Sequence, residues 1–140
     1  MKFLSGALTR SSDSSQAFSP ATAAIVFVID GGGVVIAANQ TVDLPDLPAG
    51  ATITGWTITA DVSTTSVVDI QRSTYANFPG SIASIAGTDK PSLTTAQKAQ
   101  DTTLTGWGNA TLAQGDCLRA IVSSNNNAKR ITVTLRVAWT

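Results

Sequence analysis

The side chains able to do chemistry in this chain are few and chemically alike. All nine acidic residues are Asp, Glu and His are absent, and Cys117 is the single cysteine. A carboxyl pair acting as acid and base is the first reaction such a set suggests. Asp61, Asp69, Asp101 and Asp116 each lie near a predicted strand end. An Asp in that setting ordinarily shapes a turn by bonding nearby backbone. Asp43 and Asp46 could touch a calcium ion, but their spacing lacks the ordered run of oxygen ligands of a calcium loop. Without His and with one Cys, the sequence offers no zinc set within one chain. No catalytic residue, metal site or cofactor is expected, and the chain is read as a binding or structural protein, not an enzyme.

Two further patterns invite a ligand. Asp30-Gly31-Gly32-Gly33 follows a strand-like run, as a phosphate loop does, but Val34-Val35-Ile36 continues as strand instead of helix. The Gly-Lys-Ser/Thr ending is also missing, so the run reads as a hairpin turn. Trp56, Trp107, Trp139, Tyr75 and Phe78 could stack on sugars. Trp56 and Trp139 fall at core parity, which leaves Tyr75, Asn77 and Phe78, in an irregular loop, as the candidate exposed contacts. Cys117 reads as a small buried hydrophobe.

Composition narrows the partners. The chain has 140 residues, 43% of them hydrophobic, enough for one domain with a core. Its formal net charge is zero and only 13% of residues are charged. No basic field exists to attract a polyphosphate, so no direct nucleic-acid contact is expected. No run approaches the ~18 apolar residues of a membrane helix, so no membrane partner is expected. The N-terminal apolar stretch breaks at Ser5 and Gly6 and stops at Arg10. That is shorter than the ~7–15 residues of a signal-peptide core, so synthesis in a cytoplasm without an export signal is expected.

The elements that would position these residues follow. Residues 1–22 carry no hydrophobic period and are rich in Ser from Thr9 onward. They read as an extended N-terminal arm that orders against a neighbouring subunit through Phe3, Leu4, Leu8 and Phe18. Residues 23–140 read as an all-β domain. Ala23 to Ile29 is a continuous β-rich run, expected to be central or buried on both faces. Val34 to Ala38 is predicted as its hairpin partner, and Asp43 to Gly50 as a loop. Ala51 to Asp61 changes phase at Gly55, which predicts a bulge or bend. Ser66 to Arg72 alternates, with Val68 and Ile70 inward and Asp69 and Gln71 outward. Ser92 to Gln100 offers the one plausible helix. Thr102 to Trp107, Cys117 to Ser123 and Lys129 to Trp139 are predicted strands, the last with Ile131, Val133, Leu135, Val137 and Trp139 on one face. Ser123 to Asn127 is the turn between the last two, since Asn tolerates left-handed dihedrals. Thr54-Gly55-Trp56 recurs as Thr105-Gly106-Trp107, too short a match to claim duplication. The fold class predicted is a jelly-roll-like antiparallel β-sandwich.

An ordered series of motifs carries a resemblance. It runs Ile25-Val26-Phe27-Val28-Ile29-Asp30-Gly31-Gly32-Gly33, Ile53-Thr54-Gly55-Trp56-Thr57, Val67-Val68-Asp69-Ile70 and Thr74-Tyr75-Ala76-Asn77-Phe78-Pro79. It continues through Lys90-Pro91-Ser92-Leu93, Leu104-Thr105-Gly106-Trp107, Gly115-Asp116-Cys117-Leu118-Arg119 and Ile131-Thr132-Val133-Thr134-Leu135. Over residues 23 to 138 this resembles the jelly-roll module of tailed-bacteriophage virion structural proteins, with Cys117 where a larger aliphatic residue is expected. The resemblance implies a capsid decoration or cement protein that bridges and stabilises major capsid subunits. Its partners would be the major capsid protein and further copies of itself, as a dimer or trimer. It would sit on the capsid surface of a virion assembled in the host cytoplasm. The alternative it implies is a receptor-binding fibre-tip or spike module contacting a host glycan or protein.

Overall fold

β-Branched and aromatic residues at alternate positions drive residues 22–140, the part of the chain described by the computed structural model, into eight strands. These are β1 (Thr22–Asp30), β2 (Thr41–Leu44), β3 (Ala51–Ser73), β4 (Ala83–Ser84), β5 (Ser92–Asp101), β6 (Thr111–Leu112), β7 (Cys117–Asn125) and β8 (Arg130–Trp139). All pairs are antiparallel. The order is β1-β8-β3-β7-β2, with β4, β5 and β6 also on β3. The fold is an all-β, jelly-roll-like antiparallel β-sandwich. The arm expected over residues 1–22 lies outside the described residues, except that Thr22 opens β1.

Strand β3 passes through both layers. Its first half, Ala51 to Ala60, pairs with β8, and its second half, Ser66 to Ser73, pairs with β7. Strand β5 accompanies it past the bend, from Trp56↔Asp101 to Val67↔Ser92, with register shifts on either side of Thr64. Thr95 takes a left-handed backbone (φ 45°) there, and its N–H donates to Thr65 Oγ1 at 3.0 Å. A second irregularity, within the first half of β3, keeps its two ends facing the same core. The register shifts between Ile53 and Gly55, so Ile53 before it and Trp56 and Ile58 after it are all buried. This is the phase change expected at Gly55. A Cβ on Gly55 would lie 2.9 Å from the Asp101 carbonyl oxygen, so the bulge also lets β5 approach.

The inner faces of the two layers form one hydrophobic core. It contains Ile25, Phe27 and Ile29 of β1, Val68 and Ile70 of β3, Leu118, Ala120 and Val122 of β7, and Ile131, Val133, Leu135 and Val137 of β8. The expected inward face of the last strand is the observed one. Cys117 is fully buried, as expected, with Sγ accepting from Asp46 N–H at 3.4 Å.

Several sequence expectations need correction. Ser92 to Gln100 is strand, not helix: the free edge of β3 recruits it, and tertiary pairing overrides a weak helical preference. Thr102 to Trp107 is a turn, with Leu104 left-handed (φ 51°) and Trp107 N–H returning to Leu104 O at 3.2 Å. Val34 to Ala38 forms no hairpin strand; Gly32 and Gly33 turn the chain (φ 70° and 91°), and Ile36 N–H bonds Ala128 O at 3.0 Å. Asp43 and Leu44, expected in a loop, belong to β2. Asp69 is on the outer face yet buried, because β4 folds over it and Ser84 Oγ donates to its carboxylate at 2.7 Å. The run Ala23 to Ile29 alternates instead of being buried on both sides, and Val26 and Val28 are half exposed.

The β7–β8 connection is held by side chains. Asn125 Nδ2 donates to Ile36 O and Ala128 O at 3.0 and 2.9 Å. Its Oδ1 accepts from Ser66 Oγ at 2.7 Å and Ala128 N–H at 3.1 Å. Residues Asn125 to Asn127 are not left-handed, so Asn serves here through its amide group.

Two outcomes test this packing. Leu135→Ala, at a fully buried position, is expected to cost about 2–5 kcal/mol in urea unfolding. Arg136→Ala, on the exposed face of the same strand, should stay within about 0.5 kcal/mol of the parent.

Candidate interaction surfaces

The loop carrying Tyr75, Asn77 and Phe78 follows β3. Asn77 and Phe78 N–H groups both return to Thr74 O, at 3.2 and 3.0 Å, and the Phe78–Pro79 peptide is cis. Ser73 Oγ ties the loop's end by donating to Gly80 O at 3.0 Å. Phe78 is only partly exposed, and the Arg119 guanidinium lies 5.6 Å from its ring centre. Arg119 in turn makes two hydrogen bonds to Asp43, at 2.7 and 3.1 Å. That carboxylate raises the Arg119 pKa further. Phe78 therefore anchors the loop, while Tyr75 (66% exposed) and Asn77 are presented to the outside. The predicted contacts Phe3, Leu4, Leu8 and Phe18 lie outside the described residues.

Three of the Asp residues singled out in the sequence, Asp61, Asp101 and Asp116, bond backbone amides. Asp61 Oδ1 accepts from Lys129 and Arg130 N–H at 2.9 and 3.2 Å. Desolvation pushes its pKa up, but the Arg130 and Lys129 amides outweigh this and lower it. Asp116 pairs with Arg72 at 2.8 Å and accepts from Ala113 N–H at 2.9 Å. Asp101 accepts from the Thr103 N–H and hydroxyl at 2.8 and 2.7 Å.

One carboxyl pair escaped the sequence reading. Asp89 lies against Asp101, and desolvation together with that neighbour raises the Asp89 pKa to about 6. The same contact, with the Thr103 donors, lowers that of Asp101 to about 2. Both Thr-Gly-Trp motifs meet here. Trp107 Nε1–H donates to Asp89 O at 2.9 Å, and a Cβ on Gly106 would lie 2.8 Å from Asp89 N. The Trp56 indole acts on the Asp89 carboxyl from another side, though its Nε1–H and Asp89 Oδ2 are both buried without a hydrogen-bond partner. A proton on Asp89 gives Asp101 a donor. Asp101 is already held by Thr103, and the Trp107 indole bond to Asp89 O links the 101–107 turn to the 87–90 loop.

The third surface is the outer face of the β1-β8-β3-β5 layer. Cross-strand register aligns Val26, Thr134, Thr57 and Gln100 in one row and Val28, Thr132, Thr59 and Lys98 in the next. Shallow grooves cross it, lined by Ala23, Ala24, Thr57, Thr134 and Arg136 and by Thr57, Lys98, Ala99 and Gln100. Charge sits at its margins: Lys98, Arg136, and the Asp30–Arg130 pair at 3.5 Å. Sequence reading missed this face because it took β1 as buried. The alternation Thr57-Ile58-Thr59 and Thr132-Val133-Thr134 was the available signal.

No protein-family model and no curated protein matches the sequence. Among solved structures, the chain is similar to one in the capsid of Ralstonia phage GP4, at 14% identity and a TM-score of 0.55, covering 96% of this chain and 92% of that one. It is also similar to one in the cyanophage Pam1 capsid asymmetric unit, at 20% identity and a TM-score of 0.51, covering 96% of each chain. These likenesses establish the fold.

The carboxyl pair generates a pH prediction. A raised Asp89 pKa contributes stability that is full below about pH 4 and lost as pH rises through about 6. A lowered Asp101 pKa contributes stability that is full above about pH 4 and lost as pH falls toward about 2. The pair's combined contribution therefore peaks near pH 4. Thermal unfolding at pH steps should show the parent losing stability between about pH 4 and 6 relative to Asp89→Asn. A parent and variant with parallel profiles over that window would refute the shared proton.

Proposed function

We propose that this protein is a structural component of a phage virion, and that it decorates and stabilises the capsid by bridging major capsid subunits. The observation that carries the reading is the likeness of fold to chains from two phage capsids over at least 92% of each chain. The surfaces support it. The singled-out carboxylates are occupied by backbone amides, hydroxyls or arginine, as befits a scaffold. The outer Val/Thr face is only shallowly grooved and uncharged at its centre, suited to resting on another protein surface. On this reading the protein acts by binding the assembled lattice more strongly than separated subunits, which shifts the equilibrium toward the intact shell. Many copies with weak contacts act together through effective concentration. The N-terminal residues, with Phe3, Leu4, Leu8 and Phe18, add a second attachment.

A second reading, receptor binding at a fibre tip or spike, is favoured by one observation: the exposure of Tyr75 on a loop whose base is fastened by Phe78 and Ser73. Two measurements on one preparation of particles lacking the protein separate the readings. Decoration predicts release of DNA at lower temperature with adsorption to host cells unchanged. Normal heat resistance with lost adsorption would favour the receptor reading. Deletion of residues 1–18 should leave a folded domain that occupies capsids poorly; full occupancy would remove the arm from the attachment.

A further inference from the structure

Strand β1 ends the sheet order, and one of its edges is taken by β8 through nine consecutive pairs, Thr22↔Ala138 to Asp30↔Arg130, without a bulge. Two hydrogen bonds fix which groups face the other edge. Gly31 N–H donates toward β8, to Lys129 O at 2.8 Å, whereas Asp30 O accepts from Gln40 Nε2 at 2.6 Å on the β2 side. By the alternation of an antiparallel ladder, the N–H and C=O groups of Ala24, Val26 and Val28 also point away from β8. Gln40 covers the Asp30 end of this edge; among the described residues no strand pairs with the rest.

Natural sheet edges are guarded by lysine, proline, bulges or inward charges. Residues 23–29 contain none of these. The side chains on this edge are also apolar and outward. Val26 and Val28 are 53% and 50% exposed, and Val34 and Val35, just beyond the strand, are 64% and 45% exposed. An unguarded edge beside an exposed valine cluster is the opposite of what a permanently solvated strand carries.

We propose that this edge pairs antiparallel with β1 of a second copy of the chain, about a twofold axis at Val26. The sequence is self-complementary in that register. Val26 meets Val26 of the second copy and Ala24 meets its Val28, with no like charges opposed and the Gln40-covered Asp30 ends left outside the pairing. The three residues whose backbone groups point outward then form the hydrogen-bonded pairs, each exchanging both of its bonds. The outer Val/Thr faces of the two copies become one continuous surface. The pairing does not depend on the virion reading.

Sedimentation equilibrium of the full chain is expected to give a concentration-dependent dimer. Val26→Lys, which sets two ammonium groups against each other at the axis, should weaken it at least tenfold with the circular dichroism spectrum unchanged. In a Cys117→Ala background, Val26→Cys should join two copies by a disulfide under mild oxidation, while Thr134→Cys, on the same face one strand inward, should not. Hydrogen exchange supplies a readout independent of these variants. The amides of Ala24, Val26 and Val28 should be protected in the dimer and exchange quickly on dilution to monomer. A monomer at every concentration, or a dimer indifferent to Val26→Lys, overturns the proposal. Equal protection of those three amides in the monomer also overturns it, since the chain's own N-terminal residues would then occupy the edge.

Discussion

The fold depends on β3 serving two layers at once. A strand of 23 residues is about four times the usual length, and it stays intact because both of its edges are paired almost throughout. It leaves one layer and enters the other between Asp61 and Thr65, where β8 stops accompanying it and β7 begins. The β7–β8 connection must cross at that same point, and the bend residues receive it. Asp61 takes the Lys129 and Arg130 amides, Thr64 Oγ1 takes the Asn127 amide at 3.1 Å, and Thr65 O takes the Asn126 amide at 3.2 Å. Removing those partners would leave backbone donors at a corner that sheet pairing cannot reach.

This requirement accounts for an odd feature of the composition. The chain uses Asp throughout and never Glu. Three of the carboxylates bond amides close in sequence: Asp30 takes that of Gly32 at 2.8 Å, Asp101 that of Thr103, and Asp116 that of Ala113. A carboxyl one methylene from the backbone reaches an amide two residues on; a longer side chain has more freedom to lose on making the same bond. The acidic residues are thus joints of the fold, which agrees with reading them as turn formers from sequence.

Much of the fold was legible because period-2 alternation survives wherever one face is solvated. Strand β8 and the end of β3 were assigned with the correct face, and the bulge at Gly55 followed from parity alone. The failures share a cause: local preference does not report which edge lacks a partner. Ser92 to Gln100 carries Ala, Gln and Lys, acceptable in a helix, yet the unpaired edge of β3 imposes strand. Leu104 and Thr95 adopt left-handed backbones that their residue types do not advertise. Of the candidate surfaces, the Tyr75 loop was visible as a run of turn residues between strands. The Asp89–Asp101 pair was not, because 11 residues of strand and loop separate its members and only tertiary packing joins them. The repeated Thr-Gly-Trp has the same explanation. Each glycine permits a close backbone approach and each tryptophan faces Asp89, so two unrelated segments converge on one packing problem.

On the proposed reading, the composition of the outer face meets the demands on a surface that is solvated first and covered later. Long charged side chains would protect the layer, but covering them costs side-chain entropy and desolvation. Bare leucine or phenylalanine would favour covering but also indiscriminate association. Valine and threonine lie between these extremes: they are stiff at χ1, so little freedom is lost on contact, and the threonine hydroxyl can keep a hydrogen bond in either state. Rows with valine on β1 and threonine on β8 and β3 give a surface that gains little from any single contact. On the proposed reading that weakness is useful, because a protein engaged at many equivalent lattice positions needs selectivity for the assembled array more than affinity for one subunit.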